Sequence, residues 1–188
     1  MAAACSTCTG CKLAKTRNKV VVGDGPVPCN LMLIGEGPGA DEDEQGLPFV
    51  GRSGQLLTQI IESAGIKRPQ DVFITNIVKC RPPENRAPEP EEGEACRHWL
   101  DEQLTLVKPK ILVLVGATAL KAILGKEKAI SAVRGTWTKY QGIDTTVIFH
   151  PSYLLRYPSK EKGKPKWLTW QDVKAVKSAL DLFDQAGS

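Results

Sequence analysis

Leu31-Met32-Leu33-Ile34-Gly35-Glu36-Gly37-Pro38-Gly39 joins a short run of large apolar residues to a glycine-rich turn. Four apolar residues in a row, without polar alternation, read as a strand buried on both faces, the kind that belongs in a parallel sheet. Working outward, three further runs share this character: Val72 to Val78, Ile111 to Val115 and Thr145 to Phe149. Helical patterns fall over Gly54 to Ala64, Pro90 to Val107 and Ala117 to Leu124, and another closes the chain over Trp167 to Gln185. Strand alternating with helix predicts an α/β fold of three α/β/α layers, a parallel sheet with helices on both faces. In the closing helix Trp170, Val173, Val176, Leu180 and Phe183 recur at helical spacing and are expected to face the core.

Each strand delivers chemistry at its C-terminal end. The first runs into the Gly35 to Gly39 turn, the second carries Asn76, the third reaches Gly116-Ala117-Thr118 before a helix, and the fourth ends at His150-Pro151-Ser152. In open parallel sheets that rim is where ligands bind.

The chain has 188 residues, 41% hydrophobic and 24% charged, enough for one well-buried core, so a single domain over residues 1–188 is expected. A net charge of +4 and a pI near 8.7 are compatible with a polyanionic partner but fall short of the pI above about 9 of strongly basic nucleic-acid binders. No apolar stretch approaches the length of a membrane span, and Met1 to Lys15 lacks the apolar centre of a secretory signal. A soluble, cytoplasmic protein is expected.

Six cysteines in such a protein point to metal rather than to disulfides. Cys8 and Cys11 form a CxxC pair near the N-terminus, and Cys80 and Cys96 bracket a proline-rich segment, so four thiolates could enclose one metal centre. An iron-sulfur cluster and a structural zinc both accept that set. Cys5 overlaps the same pattern and is held in reserve as a ligand, whereas Cys29 reads as a small buried hydrophobe beside the first strand.

Asp41, Glu42, Asp43 and Glu44 set strong negative charge beside the glycine turn, which lacks the Lys-Ser/Thr ending of a phosphate-binding loop. A carboxylate there can stabilise a cationic transition state or orient water, while Asp41 and Glu44 read as solvated. Phe49, between Pro48 and Val50, can stack on a flat base, although such a residue is more often core. Asn76 offers both a donor and an acceptor to a pyrimidine edge, although an asparagine at a strand end is usually a turn residue. His150 can donate to an anionic leaving group, and His98 falls on the solvent side of its helix. Ser152, Leu154 and Arg156 supply a hydroxyl, an apolar wedge and a phosphate partner, followed by Lys160, Lys162, Lys164 and Lys166. A lysine-rich loop by itself is most often solvated surface.

Taken together, Gly35-Glu-Gly-Pro-Gly39, Leu47-Pro-Phe-Val-Gly51, Asn76-Ile-Val-Lys-Cys-Arg-Pro-Pro83 and His150-Pro-Ser-Tyr-Leu-Leu-Arg156, in this order and joined to the cysteine pattern, closely resemble the family 4 uracil-DNA glycosylases. The resemblance spans nearly the whole chain. It implies a central four-stranded parallel sheet between helices, a 4Fe-4S cluster on Cys8, Cys11, Cys80 and Cys96, and hydrolysis that removes uracil from single- or double-stranded DNA and leaves an abasic site. A monomer is expected. Carried onto this chain, it implies that Glu36 and Gly37 line the uracil pocket, Phe49 stacks on the base, Asn76 pairs with its edge, His150 contacts O2, and Leu154 takes the position of the inserting leucine.

Compared with the GQDPY-type motif of other members, this chain has Gly37 in place of a water-orienting aspartate and Gly39 in place of a methyl-excluding tyrosine. Glu36 or Asp43 is therefore expected to supply the missing charge, and Glu42 or Asp43 to narrow the pocket near uracil C5. A related branch traps its product through a histidine in an insert after the equivalent of Asn76. Arg81 to Pro90 contains none, so turnover without a lasting adduct is expected. No lysine occupies a recognisable nucleophile position, so no strand cleavage is expected. Two rival readings are a non-catalytic, metal-stabilised DNA-binding module on the same fold and a zinc-stabilised nucleotide-binding protein.

Overall fold

A computed structural model describes residues 1–125 and 129–186; of the domain expected over 1–188, residues 126–128, 187 and 188 lie outside the described residues. The chain runs α1 (Ala2–Ser6), a 3-10 turn (Lys12–Lys15), β1 (Leu31–Gly35), α2 (Ala40–Gln45), α3 (Arg52–Ser63), β2 (Phe73–Asn76) and a second 3-10 turn (Pro83–Asn85). It continues with α4 (Pro90–Val107), β3 (Ile111–Val115), α5 (Ala117–Leu124), α6 (Ile130–Val133), β4 (Thr138–Tyr140), β5 (Ile143–Ile148), α7 (Pro151–Arg156) and α8 (Pro165–Ala186).

The strands form one sheet in the order β2-β1-β3-β5-β4. β1 pairs in parallel with both β2 and β3, and β3 pairs in parallel with β5. These are the four strands read from the sequence, with β2 shorter than the apolar run suggested. The expectation of a four-stranded parallel sheet is corrected by β4, a fifth strand lying antiparallel to β5 at the edge. A two-residue turn, Gln141-Gly142, joins the two, and both residues have positive φ (49° and 82°), as a tight hairpin requires. Edge strands need only half a buried face, and β4 is partly exposed along its whole length, so it lacks the continuous apolar run that marks its neighbours.

Alternate residues of β1 and β3 enter opposite sides of the core. Met32, Ile34, Leu112 and Leu114 pack with Leu100, Leu104 and Val107 of α4 and Leu120 and Ile123 of α5. Leu31, Leu33, Ile111, Val113 and Val115 pack with Leu57, Ile60 and Ile61 of α3 and Val173, Val176 and Leu180 of α8. Burial on both faces explains the absence of polar alternation in these strands. In α8 the core assignment holds for Val173, Val176 and Leu180, but Trp170 is only half-buried and carries the Lys174 ammonium over its ring at 3.8 Å. Among the described residues, no helix is long and apolar enough to cross a membrane.

Residues before β1 run along the open edge of β2. Asp24 exchanges both backbone hydrogen bonds with Ile74, and the Val21 amide donates to the Lys79 carbonyl. The N-terminal cysteines are thereby drawn towards Cys80 and α4.

Candidate active site

The C-terminal ends of β1, β2 and β5 open into a cleft of ≈ 290 Å³ lined by Glu36, Gly37, Glu42, Phe49, Asn76, His150 and Ser152, among others. Seven positions nominated from sequence therefore meet around one cavity. Pro82, Asn85 and Arg86 complete the wall. These three were not singled out; the irregular, proline-rich character of their segment was the available signal. Arg86 is aimed by a bidentate pair with the buried Glu92 carboxylate (2.8 and 2.7 Å), which also accepts from the Glu89 amide and caps the first turn of α4.

Asn76, 1% exposed, ends β2, and its side-chain Oδ1 has no hydrogen-bond partner among the described residues. Leaving a buried amide oxygen unpaired costs about 1–3 kcal/mol, so the arrangement suits a ligand that brings a donor. Phe49 sits beside it in a left-handed backbone conformation (φ 52°), with its ring centroid 6.0 Å from that of His150. Arg68 holds this strained residue from behind, donating to the Phe49 carbonyl (2.7 Å), the Pro48 carbonyl and Thr58 Oγ1 (3.1 Å). Gly54 must be glycine, because a Cβ there would lie 2.0 Å from the Phe49 carbonyl group.

His150 is the N-cap of α7. Its Nδ1 accepts the Ser152 amide (3.2 Å) and lies 2.8 Å from Ser152 Oγ. An Nδ1 that accepts a backbone N–H carries no proton, so the neutral ring keeps its proton on Nε2 as a donor. Burial pushes the imidazole pKa below its ordinary value, against the opposing pull of Glu36 and Glu42, and so favours that neutral form. Glu36 is fixed by the Thr118 hydroxyl, which donates to it from the first turn of α5.

The acidic turn divides its labour. Glu42 lines the cleft and accepts the amides of Gly39 (3.0 Å), Val50 (2.9 Å) and Gly51 (2.9 Å), tying α2 to the segment that carries Phe49. Asp43 points elsewhere. Its buried carboxylate accepts the amides of Asn18 (2.9 and 3.1 Å) and Lys19 (3.3 Å). Successive helical residues are about 100° apart, so α2 turns Asp43 away from the cleft and towards the N-terminal segment. The expectation that Asp43 supplies charge to the site or narrows it is therefore corrected. Asp41 and Glu44 are exposed, as read from the sequence.

Leu154 is also corrected. It is fully buried in the cluster with α3 and α8 and cannot reach a DNA duplex from there. Its neighbours Leu155 (36% exposed) and Tyr157 (48% exposed) are the apolar groups at the surface. Arg156 is exposed and lies over the Tyr153 ring at 5.9 Å.

A second cavity is lined by Cys5, Cys8, Cys11, Cys80 and Cys96 together with Arg17 and Lys79. Arg17 Nη1 donates to Cys80 Sγ (3.2 Å), and the Gly10 amide donates to Cys8 Sγ (3.4 Å). Burial raises the pKa of Cys80 and Cys96 and pushes the fully buried Cys5 up to about 12. Cys29 lies apart, beside β1, donating to the Leu31 carbonyl. Among the described residues, no three Cys, His, Asp or Glu side chains converge tightly enough for a single metal ion. Lys79, which was not singled out, is 1% exposed and donates to Thr75 Oγ1 (2.7 Å), the Asn76 carbonyl (2.7 Å) and Gln103 Oε1 (2.6 Å). Burial pushes its pKa down to about 8, against the pull of Cys96 and Cys5.

Comparison with known proteins identifies the family. Residues 22–174 match the family model of the uracil DNA glycosylase superfamily. The type-4 uracil-DNA glycosylase of Thermotoga maritima is 45% identical over 175 residues, 92% of this chain and 89% of that protein. That of Pyrobaculum aerophilum is 42% identical over 162 residues, 81% of each. A type-5 uracil-DNA glycosylase of Thermus thermophilus is 34% identical over 118 residues, 55% of this chain and 53% of that protein. With four-fifths of its length inside the family's bounds and the longer matches all to one type, the chain belongs to the uracil DNA glycosylase superfamily, in its type-4 branch.

Proposed function

We infer that the protein is a monofunctional uracil-DNA glycosylase, hydrolysing the N-glycosidic bond of a flipped-out deoxyuridine to leave an abasic site. The observation that carries this reading is the buried, unpartnered Oδ1 of Asn76 in a cleft shared with Phe49 and His150. Uracil presents a donor, N3–H, flanked by two carbonyl acceptors. Its N3–H satisfies Oδ1, and the amide nitrogen of Asn76 serves the adjacent carbonyl. Cytosine, whose N3 accepts and whose exocyclic amine donates, opposes both.

As the bond to the sugar breaks, negative charge collects on the uracil ring. The Nε2–H of neutral His150 serves as the donor to O2, which stabilises the leaving group without prior protonation. Glu36, anchored by Thr118, supplies negative charge opposite the developing sugar cation and orients the attacking water. Phe49 provides the stacking face. Glu42 and Gly37 shape the wall near C5, with Glu42 also holding the Phe49 segment in place. Ser152, Arg156 and Arg86 contact the DNA backbone, and Leu155 or Tyr157, rather than Leu154, fills the space left in the strand.

The cysteine cavity suits a 4Fe-4S cluster held by Cys8, Cys11, Cys80 and Cys96. The wall of that cavity carries two cationic side chains, Arg17 and Lys79, suited to an anionic centre. The cluster would supply a cross-link between the N-terminal segment, β2 and α4. We place the enzyme, as one domain and a monomer, in the cytoplasm, where thiol ligands stay reduced.

Matched oligonucleotides containing uracil, thymine or cytosine, single-stranded and duplex, test the reading. Mild alkali after incubation should cleave only at uracil, and without alkali the strand should remain intact. Intact uracil strands after alkali would overturn the assignment.

A further inference from the structure

Lys79 presents a problem of electrostatics that the uracil cleft does not solve. Its ammonium is withdrawn from solvent, and the three groups it bonds, Thr75 Oγ1, the Asn76 carbonyl and Gln103 Oε1, are all neutral. Among the described residues, no carboxylate lies within ion-pair distance of it. A buried cation without a counter-ion is strongly disfavoured unless an anion is added or the charge is given up. The remaining neighbours are the thiols of the cysteine cavity, whose wall Lys79 shares with Arg17. Arg17 already donates to Cys80 Sγ.

Four thiolates bring four negative charges to that cavity, and an iron-sulfur core cancels only part of them. The complete centre is therefore an anion enclosed beside two cations. Lys79 also reaches in the other direction, through its bond to the Asn76 carbonyl, to the residue whose side chain faces uracil. Thr75, Asn76, Lys79 and Cys80 lie within six consecutive residues, so one short stretch carries base reader, cation and cluster ligand together.

Building on the cluster reading above, we propose that Lys79 and Arg17 are the built-in counter-charges of the cysteine-bound cluster. We further propose that Lys79 is a positioning residue that makes the setting of Asn76 depend on that centre. When the centre is present, its charge holds the ammonium at the cavity wall and the Asn76 carbonyl with it. When it is lost, the ammonium is left buried without an anion, and the end of β2 relaxes.

The test uses full-length holoenzyme, purified and reconstituted anaerobically, as wild type, Lys79→Met, Lys79→Arg and Arg17→Met. Three quantities are read: cluster reduction potential, decay of visible absorbance in air, and KM and kcat for uracil release from a single strand. Removing a positive charge beside the cluster disfavours its more negative, reduced form. Both methionine variants should therefore show a more negative potential and faster bleaching. Lys79→Met should in addition raise KM several-fold with a smaller change in kcat, and Lys79→Arg should restore the potential towards wild type. Should Lys79→Met fail to accumulate as folded protein, Thr75→Val removes one acceptor and keeps the charge; it should raise KM and leave the potential in place. Potentials and bleaching rates equal to wild type in both methionine variants would overturn the counter-charge. An unchanged KM in Lys79→Met, or in Thr75→Val where that is the variant used, would overturn the positioning role. Wild-type protein that binds no iron on reconstitution overturns the cluster reading itself, a result distinct from either of these.

Discussion

Gly35 has no side chain, and two groups of the site occupy the space where one would be. A Cβ at this position would lie 2.5 Å from Asn76 Oδ1 and 2.5 Å from the Phe49 ring. Gly35→Ala should therefore displace reader and stacking face together, with a loss of about 1–3 kcal/mol in stability and a larger fall in uracil release. Thermal unfolding and single-turnover kinetics on one preparation measure both. Asn76→Ala removes the pairing groups while leaving the backbone alone, and kcat/KM should drop roughly 5- to 150-fold, the equivalent of about 1–3 kcal/mol. If His150 is the donor to the leaving base proposed above, His150→Ala should act on kcat instead, by about 10² to 10³, because such a hydrogen bond strengthens as charge develops in the transition state. If the two substitutions gave the same KM-to-kcat pattern, the division of roles between them would be wrong.

At the scale of elements, α2 acts as a latch. One Glu42 carboxylate accepts three amides from two segments, so Glu42→Ala leaves those donors unpaired at the rim of the cleft. We expect a loss of about 2–3 kcal/mol, seen as a fall in melting temperature of roughly 5–10 °C. Weaker discrimination between uracil and thymine should accompany it, measured on paired oligonucleotides. The four parallel strands and the rim where their ends converge were legible in the sequence because doubly buried strands leave unbroken apolar runs. β4 was not, since Thr138-Lys139-Tyr140 owes its place to a two-residue turn and an edge ion pair, Lys139 to Asp144 at 2.7 Å. Asp43 and Leu154 show a different limit. Composition marked both segments as functional, but which of two adjacent residues is buried depends on helix phase, and neither α2 nor α7, at six residues each, is long enough to reveal its phase from sequence. Lys79 was hidden because nothing local distinguishes a buried lysine from a solvated one.

For the molecule as a whole, acid should be destabilising in two steps. His150 titrates below its ordinary value of 6.5 in the folded state because burial disfavours its charged form. Its contribution is therefore fully present above pH 6.5 and is lost as pH falls through the folded value. Glu92, held below 4.5 by its bond to Arg86, contributes above pH 4.5 and loses that contribution at still lower pH. Melting temperatures from pH 8 to pH 3 should decline in this order, and Glu92→Gln should flatten the second step while leaving the first.

Only three residues separate Asn76 from Cys80, and the chain between them is anchored at both ends. The chain bends at Ile77, Lys79 and Cys80, and Lys79 bonds back to the Asn76 carbonyl, so an extra residue there would disrupt that turn. Past Cys80, the stretch before α4 begins already departs from regular structure, and extra residues there leave that turn intact. Growth of that stretch would enlarge the cleft wall at Asn85 and Arg86 while leaving the spacing of Asn76 and Cys80 as it is.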